Sequence, residues 1–186
     1  MPGPVPGLVP GLVVVTERLE LWRPQLGDHA GLLALIEPDA VRRFLGPAQP
    51  TPEDAFARLL RNAGSWALYG YGGFIVREHG RAEIVATCGV FHSWRGFGPK
   101  DGLGMDDVPE AGWIIAERHW GKGLASEAMQ AALAWFDGEH GLRTVCMIEE
   151  GHATSAAVAA KLGYADYGRH QPDEGRALVL YERGAF

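Results

Sequence analysis

Arg118-His119-Trp120-Gly121-Lys122-Gly123-Leu124-Ala125 is the stretch that decides how this chain of 186 residues is read. Before it, Glu110-Ala111-Gly112-Trp113-Ile114-Ile115-Ala116 has the β-branched and aromatic character of a strand. After it, Leu124, Ala125, Ala128, Met129, Ala132, Leu133 and Phe136 recur at helical spacing on one face. The two glycines therefore sit where a strand turns into a helix. The first N–H groups of a helix have no partner within it, and the helix dipole favours negative charge at that end. Glycines just before that end let a diphosphate approach the backbone, and Lys122 adds a point charge. With 26 glycines in the chain, Gly-x-Gly alone means little, and its place between strand and helix gives it weight. Two other phosphate-binding turns do not fit. A P-loop needs Gly-x-x-x-x-Gly-Lys followed by Ser or Thr, and a dinucleotide fingerprint needs a third glycine where Ser126 stands.

Working outward, Arg18-Leu19-Glu20-Leu21-Trp22-Arg23 alternates as a first strand and stops at Pro24. Asp28 is placed to cap a helix carrying Leu32, Leu33, Leu35 and Ile36, which Pro38 ends. Thr51-Pro52-Glu53 starts a second helix running towards Gly64. Residues 73–77 and 83–91 read as an antiparallel hairpin around His79-Gly80-Arg81, and residues 93–109 as a loop. Beyond the central helix come a strand at 144–148, an Ala-rich helix at 156–162 ended by Gly163, and two closing strands, the last at 177–181. The order βααβββαβαββ implies an α/β fold, a single domain with a mixed, mostly antiparallel sheet and helices on both faces. Residues 1–15, broken by Pro2, Pro4, Pro6 and Pro10, read as a flexible Pro/Gly-rich tail, and 16–186 as the domain.

Composition narrows the function. Hydrophobic residues at 47% build a core, and the formal net charge of −6 argues against nucleic acid as the main ligand. Cys88 and Cys146 are isolated, with no C-x-x-C and no H-E-x-x-H, so neither a zinc site nor a disulfide framework is indicated and no metal is expected. The apolar start lacks the Lys or Arg of a signal peptide, and no run approaches the ~20 apolar residues of a membrane span. The cytoplasm is the expected location, with no membrane partner.

Taken together, Arg118-x-x-Gly121-x-Gly123 followed by Leu124-Ala125-Ser126-Glu127-Ala128 resembles the acetyl-CoA motif of the GNAT superfamily of N-acetyltransferases. Thr16-Glu17-Arg18-Leu19, Ala111-Gly112-Trp113, Trp120-Gly121-Lys122-Gly123 and Lys161-Leu162-Gly163-Tyr164 are together similar to its Rim-type branch, which includes ribosomal-protein N-terminal acetyltransferases. The resemblance covers nearly everything after the tail. It implies an enzyme that moves acetyl from acetyl-CoA to a primary amine by direct attack, the amine being a peptide or protein N-terminus, or else a small polyamine, amino acid or aminoglycoside. It implies a split between the strand at 113–116 and the strand at 145–148, where pantetheine lies like an added strand on the backbone of Trp113, Ile114 and Ile115. The pyrophosphate then meets Arg118, His119, Trp120, Gly121, Lys122, Gly123, Leu124 and Ala125.

The same resemblance assigns candidate chemistry. Glu110, where family members often carry a carboxylate, is the candidate base that frees the attacking amine, with Glu149 and Glu150 as alternatives. The family's usual tyrosine donor to the departing thiolate is replaced by Ala159, so Ser155, as in the Rim-type branch, becomes the candidate donor. His152 stands where an asparagine usually holds the pantetheine arm; it can still donate one bond, or act as acid or base itself. These departures keep a non-catalytic acyl-CoA-binding module as the alternative, with a nucleotide-binding protein a distant third. On the acceptor side, Phe44, Trp66, Trp94 and Phe97 are candidate apolar contacts, and Asp101, Asp106, Asp107 and Glu110 a cluster that would attract a cation. A homodimer is an assembly this reading allows.

Overall fold

A computed structural model describes residues 11–45, 49–97, 104–173 and 175–184. The strands are β1 Leu12–Val15, β2 Leu19–Trp22, β3 Gly73–Glu78, β4 Ile84–Ser93, β5 Val108–Ile115, β6 Thr144–Glu149, β7 Ala165–His170 and β8 Leu178–Arg183. The helices are α1 His29–Ile36, α2 Asp39–Arg42, α3 Pro52–Tyr69, α4 Leu124–Glu139 and α5 Ala153–Lys161. The strands form one sheet in the order β1-β2-β3-β4-β5-β6-β8-β7. Every neighbouring pair is antiparallel except β5 and β6. This is the α/β architecture expected, with one strand, β1, and one short helix, α2, more.

Side chains of a strand alternate between faces, and β3 shows how that divides the core. Ile75 packs with Leu32, Leu35 and Ile36 of α1 and with Ala55 and Leu59 of α3. Phe74 and Val76 pack instead with Ala128, Met129, Leu133 and Phe136 of α4. The helices thus cover both faces. No helix among the described residues is long and apolar enough to cross a membrane.

Three local expectations are corrected. Residues 12–15 are not tail: β1 pairs antiparallel with β2, and Met1 to Pro10 lie outside the described residues. The run Leu12-Val13-Val14-Val15 has strong strand propensity, and Val13 and Val14 pack on the main core. Asp28 precedes α1 without capping it by its side chain. Its buried carboxylate accepts the Gln25 N–H at 2.7 Å and pairs with Arg77 of β3, tying the helix to the sheet. Helix α3 begins as expected, Thr51 and Asp54 capping each other reciprocally with Pro52 in the first turn, but it runs past Gly64 to Tyr69. Burial overrides the glycine there: Ser65 donates to the Tyr71 carbonyl at 2.7 Å, and the buried Trp66 indole donates to the Gly73 carbonyl at 3.1 Å.

Candidate active site

Parallel pairing of β5 with β6 is confined to Glu110 and Val145. Beyond it, β6 stays paired to β8 through Glu149, and β5 stays paired to β4 through Ile115, so the two strands part. A cavity of about 410 Å³ occupies the opening. In an antiparallel pair, hydrogen-bonding groups point alternately to the partner and away. Ala116 N–H donates to the Val85 carbonyl, which by the regular register turns the backbone groups of Ile114 and Gly112 towards β4 and those of Trp113 and Ile115 towards the opening. The Ile115 carbonyl already accepts the Trp120 indole N–H at 2.8 Å. The free edge expected of Trp113, Ile114 and Ile115 is therefore narrower: Trp113 offers both its groups, Ile115 its N–H, and Ile114 contributes its side chain.

The quoted turn stands at the open end. Residues Glu117–His119 form a short 3₁₀ turn in which the amides of His119 and Trp120 donate back to Ala116 and Glu117. The next backbone amide donating to a main-chain carbonyl is that of Glu127, to Gly123 at 3.1 Å. The amides from Gly121 to Ser126 are left over. Gly121 and Gly123 both adopt left-handed conformations, φ 73° and 76°, which fold this run into a concave nest that side-chain-bearing residues resist. No side chain caps α4, so the nest is open to an anion. Among the eight residues assigned to the pyrophosphate, His119 and Trp120 differ: the main-chain N–H of each is spent within the turn, and His119 is also buried.

The nest is braced from the turn between β1 and β2. Arg18 Nε donates to Glu127 Oε2 at 2.6 Å and Arg18 Nη1 to the Lys122 carbonyl at 3.0 Å, while Thr16 Oγ1 donates to Glu127 Oε1 at 2.6 Å. Burial pushes the Glu127 carboxyl up, but the bonds from Thr16 and Arg18 outweigh it and hold the group below the usual range. A carboxylate in the first turn of α4 would otherwise compete with a bound anion, and Arg18 cancels that charge. This gives the opening Thr16-Glu17-Arg18-Leu19 a structural role.

Across the opening, His152 precedes α5 and its Nε2 lies 3.0 Å from Ser155 Oγ. Its ring stacks on Phe44 with centroids 3.7 Å apart. Burial, helped by the Arg43 charge, pushes the His152 pKa below its ordinary value and favours the neutral ring. Glu110, 3% exposed, presents both carboxylate oxygens to Arg95, whose Nε donates at 2.7 Å and whose Nη2 completes the fork.

A family profile described as an acetyltransferase (GNAT) domain matches residues 18–165. The chain belongs to the GNAT acetyltransferase family. It is 32% identical to a solved GnaT-family acetyltransferase from Bordetella pertussis, with 92% of this chain and 98% of that one covered and a TM-score of 0.80. YkkB of Bacillus subtilis (strain 168) is 26% identical over 176 residues, 93% of this chain and 96% of its own. RimL, a ribosomal L7/L12 α-N-protein acetyltransferase solved in complex with coenzyme A, shares the fold at 17% identity, with a TM-score of 0.72 over 94% of this chain and 98% of its own. This GNAT protein is accordingly an acetyl-CoA-dependent N-acetyltransferase.

In this GNAT cleft, Glu110, Trp113, Ile114, His152 and Ser155 line one cavity, together with Glu149 but without Glu150. Of the apolar candidates, Phe44 and Trp94 line it. Trp66 belongs to the core, and Phe97 stacks on His170 with centroids 3.7 Å apart. The acidic cluster does not form a free cation trap. Asp106 accepts the main-chain N–H groups of Arg95 and Gly96 at 2.6 and 2.8 Å, Asp107 pairs with His92 at 2.9 Å, and Glu110 is held by Arg95. Asp101 lies outside the described residues.

Four basic side chains that line the cavity carry no signal in the sequence: Arg58, Arg61, His92 and Arg95. The His92 ring lies between Tyr71 Oη and Asp107 Oδ1, each 2.9 Å away, and stacks on Tyr69. Both ring nitrogens are thus engaged. Asp107 itself sits at φ 56°, unusual for a residue with a side chain. Packing between distant elements brings α3 to β5, while His92 lies near the end of β4 and Arg95 just past it.

Proposed function

We propose that this acetyltransferase moves acetyl directly to a primary amine within the split between β5 and β6, the donor lying with its pyrophosphate on the amides of Gly121 to Ser126. The observation that carries the reading is that this run of unpaired amides follows the end of β5 where it has parted from β6, the split whose other side carries the Ser155 and His152 pair. A doubly charged diphosphate fits donors that have no other partner, and the amide-bearing arm fits the Trp113 edge. Arg118, His119, Trp120 and Lys122 frame that site. Fixing the thioester beside the amine supplies much of the rate by positioning.

In this mechanism a neutral His152 with its proton on Nε2 donates to Ser155 Oγ and leaves the hydroxyl proton to meet the departing sulfur. Ser155 is then the acid that stabilises the thiolate, and His152 positions it. Glu110 is the first candidate to take the proton of the amine. Because Arg95 holds both its oxygens, that transfer requires the pair to open or a water to bridge, and Glu149 on the opposite wall is the alternative. The acceptor is a peptide or protein N-terminus, the class named for RimL, or a small-molecule amine; the free, buried thiols of Cys88 and Cys146 suit a reducing cytoplasm. Thiol release from acetyl-CoA against a panel of primary amines and peptides tests the reading. Amine-dependent release is expected, and none across the panel overturns it.

A further inference from the structure

Arg58, Arg61 and Asn62 stand three and four residues apart on α3, so they share one helix face, and all three line the cleft cavity with Arg95 and Glu110. The charges around them are already matched. Arg95 is spent on Glu110, and Glu149 has Arg176 at 3.9 Å. Asp54, one turn before Arg58, gives its carboxylate to the amide and hydroxyl of Thr51. Among the described residues, Arg58 and Arg61 make no ion pair and no hydrogen bond. Arg58 is half-buried; burial, then the neighbouring charges of Arg61 and Arg95, disfavour its charged form. In a chain of formal net charge −6, two guanidinium groups without an ion pair face the cavity, the half-buried Arg58 and the exposed Arg61, with the Asp54 charge as a partial offset. Holding a cation partly desolvated beside like charges is costly unless an anion joins it.

The donor does not account for them. Its pyrophosphate has the nest at Gly121 to Ser126, and no residue from Arg118 to Ser126 lines the cavity that the arginines face. We propose that the acceptor is a small amine bearing a carboxylate or phosphate, which Arg58 and Arg61 grip while the amine points towards the β5–β6 split. A guanidinium fork matches the planar oxygens of either group and leaves the amine free to react. The proposal rests on the acetyl-transfer reading and reverses the expectation of a cation-attracting acceptor loop.

Calorimetry on the full chain with CoA present tests it, using matched probes: alanine against alaninamide, and O-phosphoethanolamine against ethanolamine. In at least one pair the anionic member binds on the order of 10-fold or more tightly, and which pair does so separates carboxylate from phosphate. The double variant Arg58→Gln/Arg61→Gln erases the preference, Arg58→Lys keeps part of it, and CoA affinity, measured alongside, reports an intact cleft. Equal binding within both pairs, or no binding by any of the four, overturns the proposal. So does a double variant that loses CoA affinity, since the arginines would then serve the donor. Thiol release is scored separately on the same amines. Discrimination without release defeats the catalytic reading and leaves the anion site standing, whereas release without discrimination does the reverse.

Discussion

The donor and acceptor halves of the cleft are built by opposite means. The proposed donor half is a single continuous stretch, from Ala116 to Glu127, that presents main-chain amides through two left-handed glycines and a brace from Arg18. The proposed acceptor half is assembled from side chains far apart in the sequence: Phe44, Arg58 and Arg61 before β3, and Arg95 after β4. Backbone geometry recognises what every diphosphate has in common, while side chains can be exchanged without disturbing the sheet. The difference predicts that damage to each half is read in a different binding constant.

The sharpest break comes at the nest. Gly123→Val places a β-branched residue at φ 76°, a conformation it resists, and turns the first amides of α4 away from their common focus. Losing two charge-assisted bonds at ~2 kcal/mol each weakens CoA binding on the order of 1000-fold. Calorimetry with CoA measures it, and a loss under tenfold with the fold intact would show that the nest is not what holds the donor. Next in size is Ser155→Ala, which removes the proposed acid: kcat falls on the order of 100-fold while CoA affinity holds. Unchanged kcat would transfer that role to another group.

That division also marks what could be read from the chain itself. The quoted turn was legible because strand, glycines and helix are consecutive, and so was the Thr51 cap, because capping is local. The full length of α3 was not, since Ser65 and Trp66 continue the helix through bonds to Tyr71 and Gly73 that exist only once β3 is in place. In the sequence Leu12 to Val15 read as tail, because the prolines before them outweigh a run of valines whose partner strand lies beyond a turn. In the site, Glu110 and Ser155 were found through the family pattern, but the state of Glu110 was hidden in Arg95, 15 residues earlier on a loop without periodicity. Asp106 and Asp107 looked free for the same reason: their partners are main-chain amides and His92.

The brace between the β1–β2 turn and the nest offers a smaller test. Glu127→Gln keeps the shape but leaves Arg18 without its anion, and Arg18→Ala leaves the Glu127 charge at the helix N-terminus facing the bound phosphates. The pair is partly exposed, side chains 45% and 19%, so screening limits its worth. A loss of about 3- to 10-fold in CoA affinity is expected for Arg18→Ala, larger at low salt than at high, with a milder effect for Glu127→Gln. Equal losses at both salt concentrations would show that Arg18 acts by packing alone.

The smallest effect concerns the wall that both halves share. Burial and then Arg43 lower the His152 pKa in the folded chain, whereas the unfolded chain titrates near ~6.5. The folded state therefore binds fewer protons than the unfolded state as pH falls through that value, and stability drops with it. Above the unfolded pKa both states are neutral at this site and it contributes no pH dependence. His119, lowered by burial and then by Arg118, acts with the same sign, so the wild-type melting temperature declines modestly between about pH 7 and 5.5. His152→Asn removes one of the two contributions and flattens the decline without abolishing it. In kcat, the same neutral ring lets Ser155 work to pH values below the ordinary histidine range, so the acid limb of the wild-type profile lies lower than ~6.5 and disappears in His152→Asn. An acid limb that persists in that variant would assign it to the carboxylate facing the amine, and would move the pH control of the reaction from the donor wall to the acceptor side.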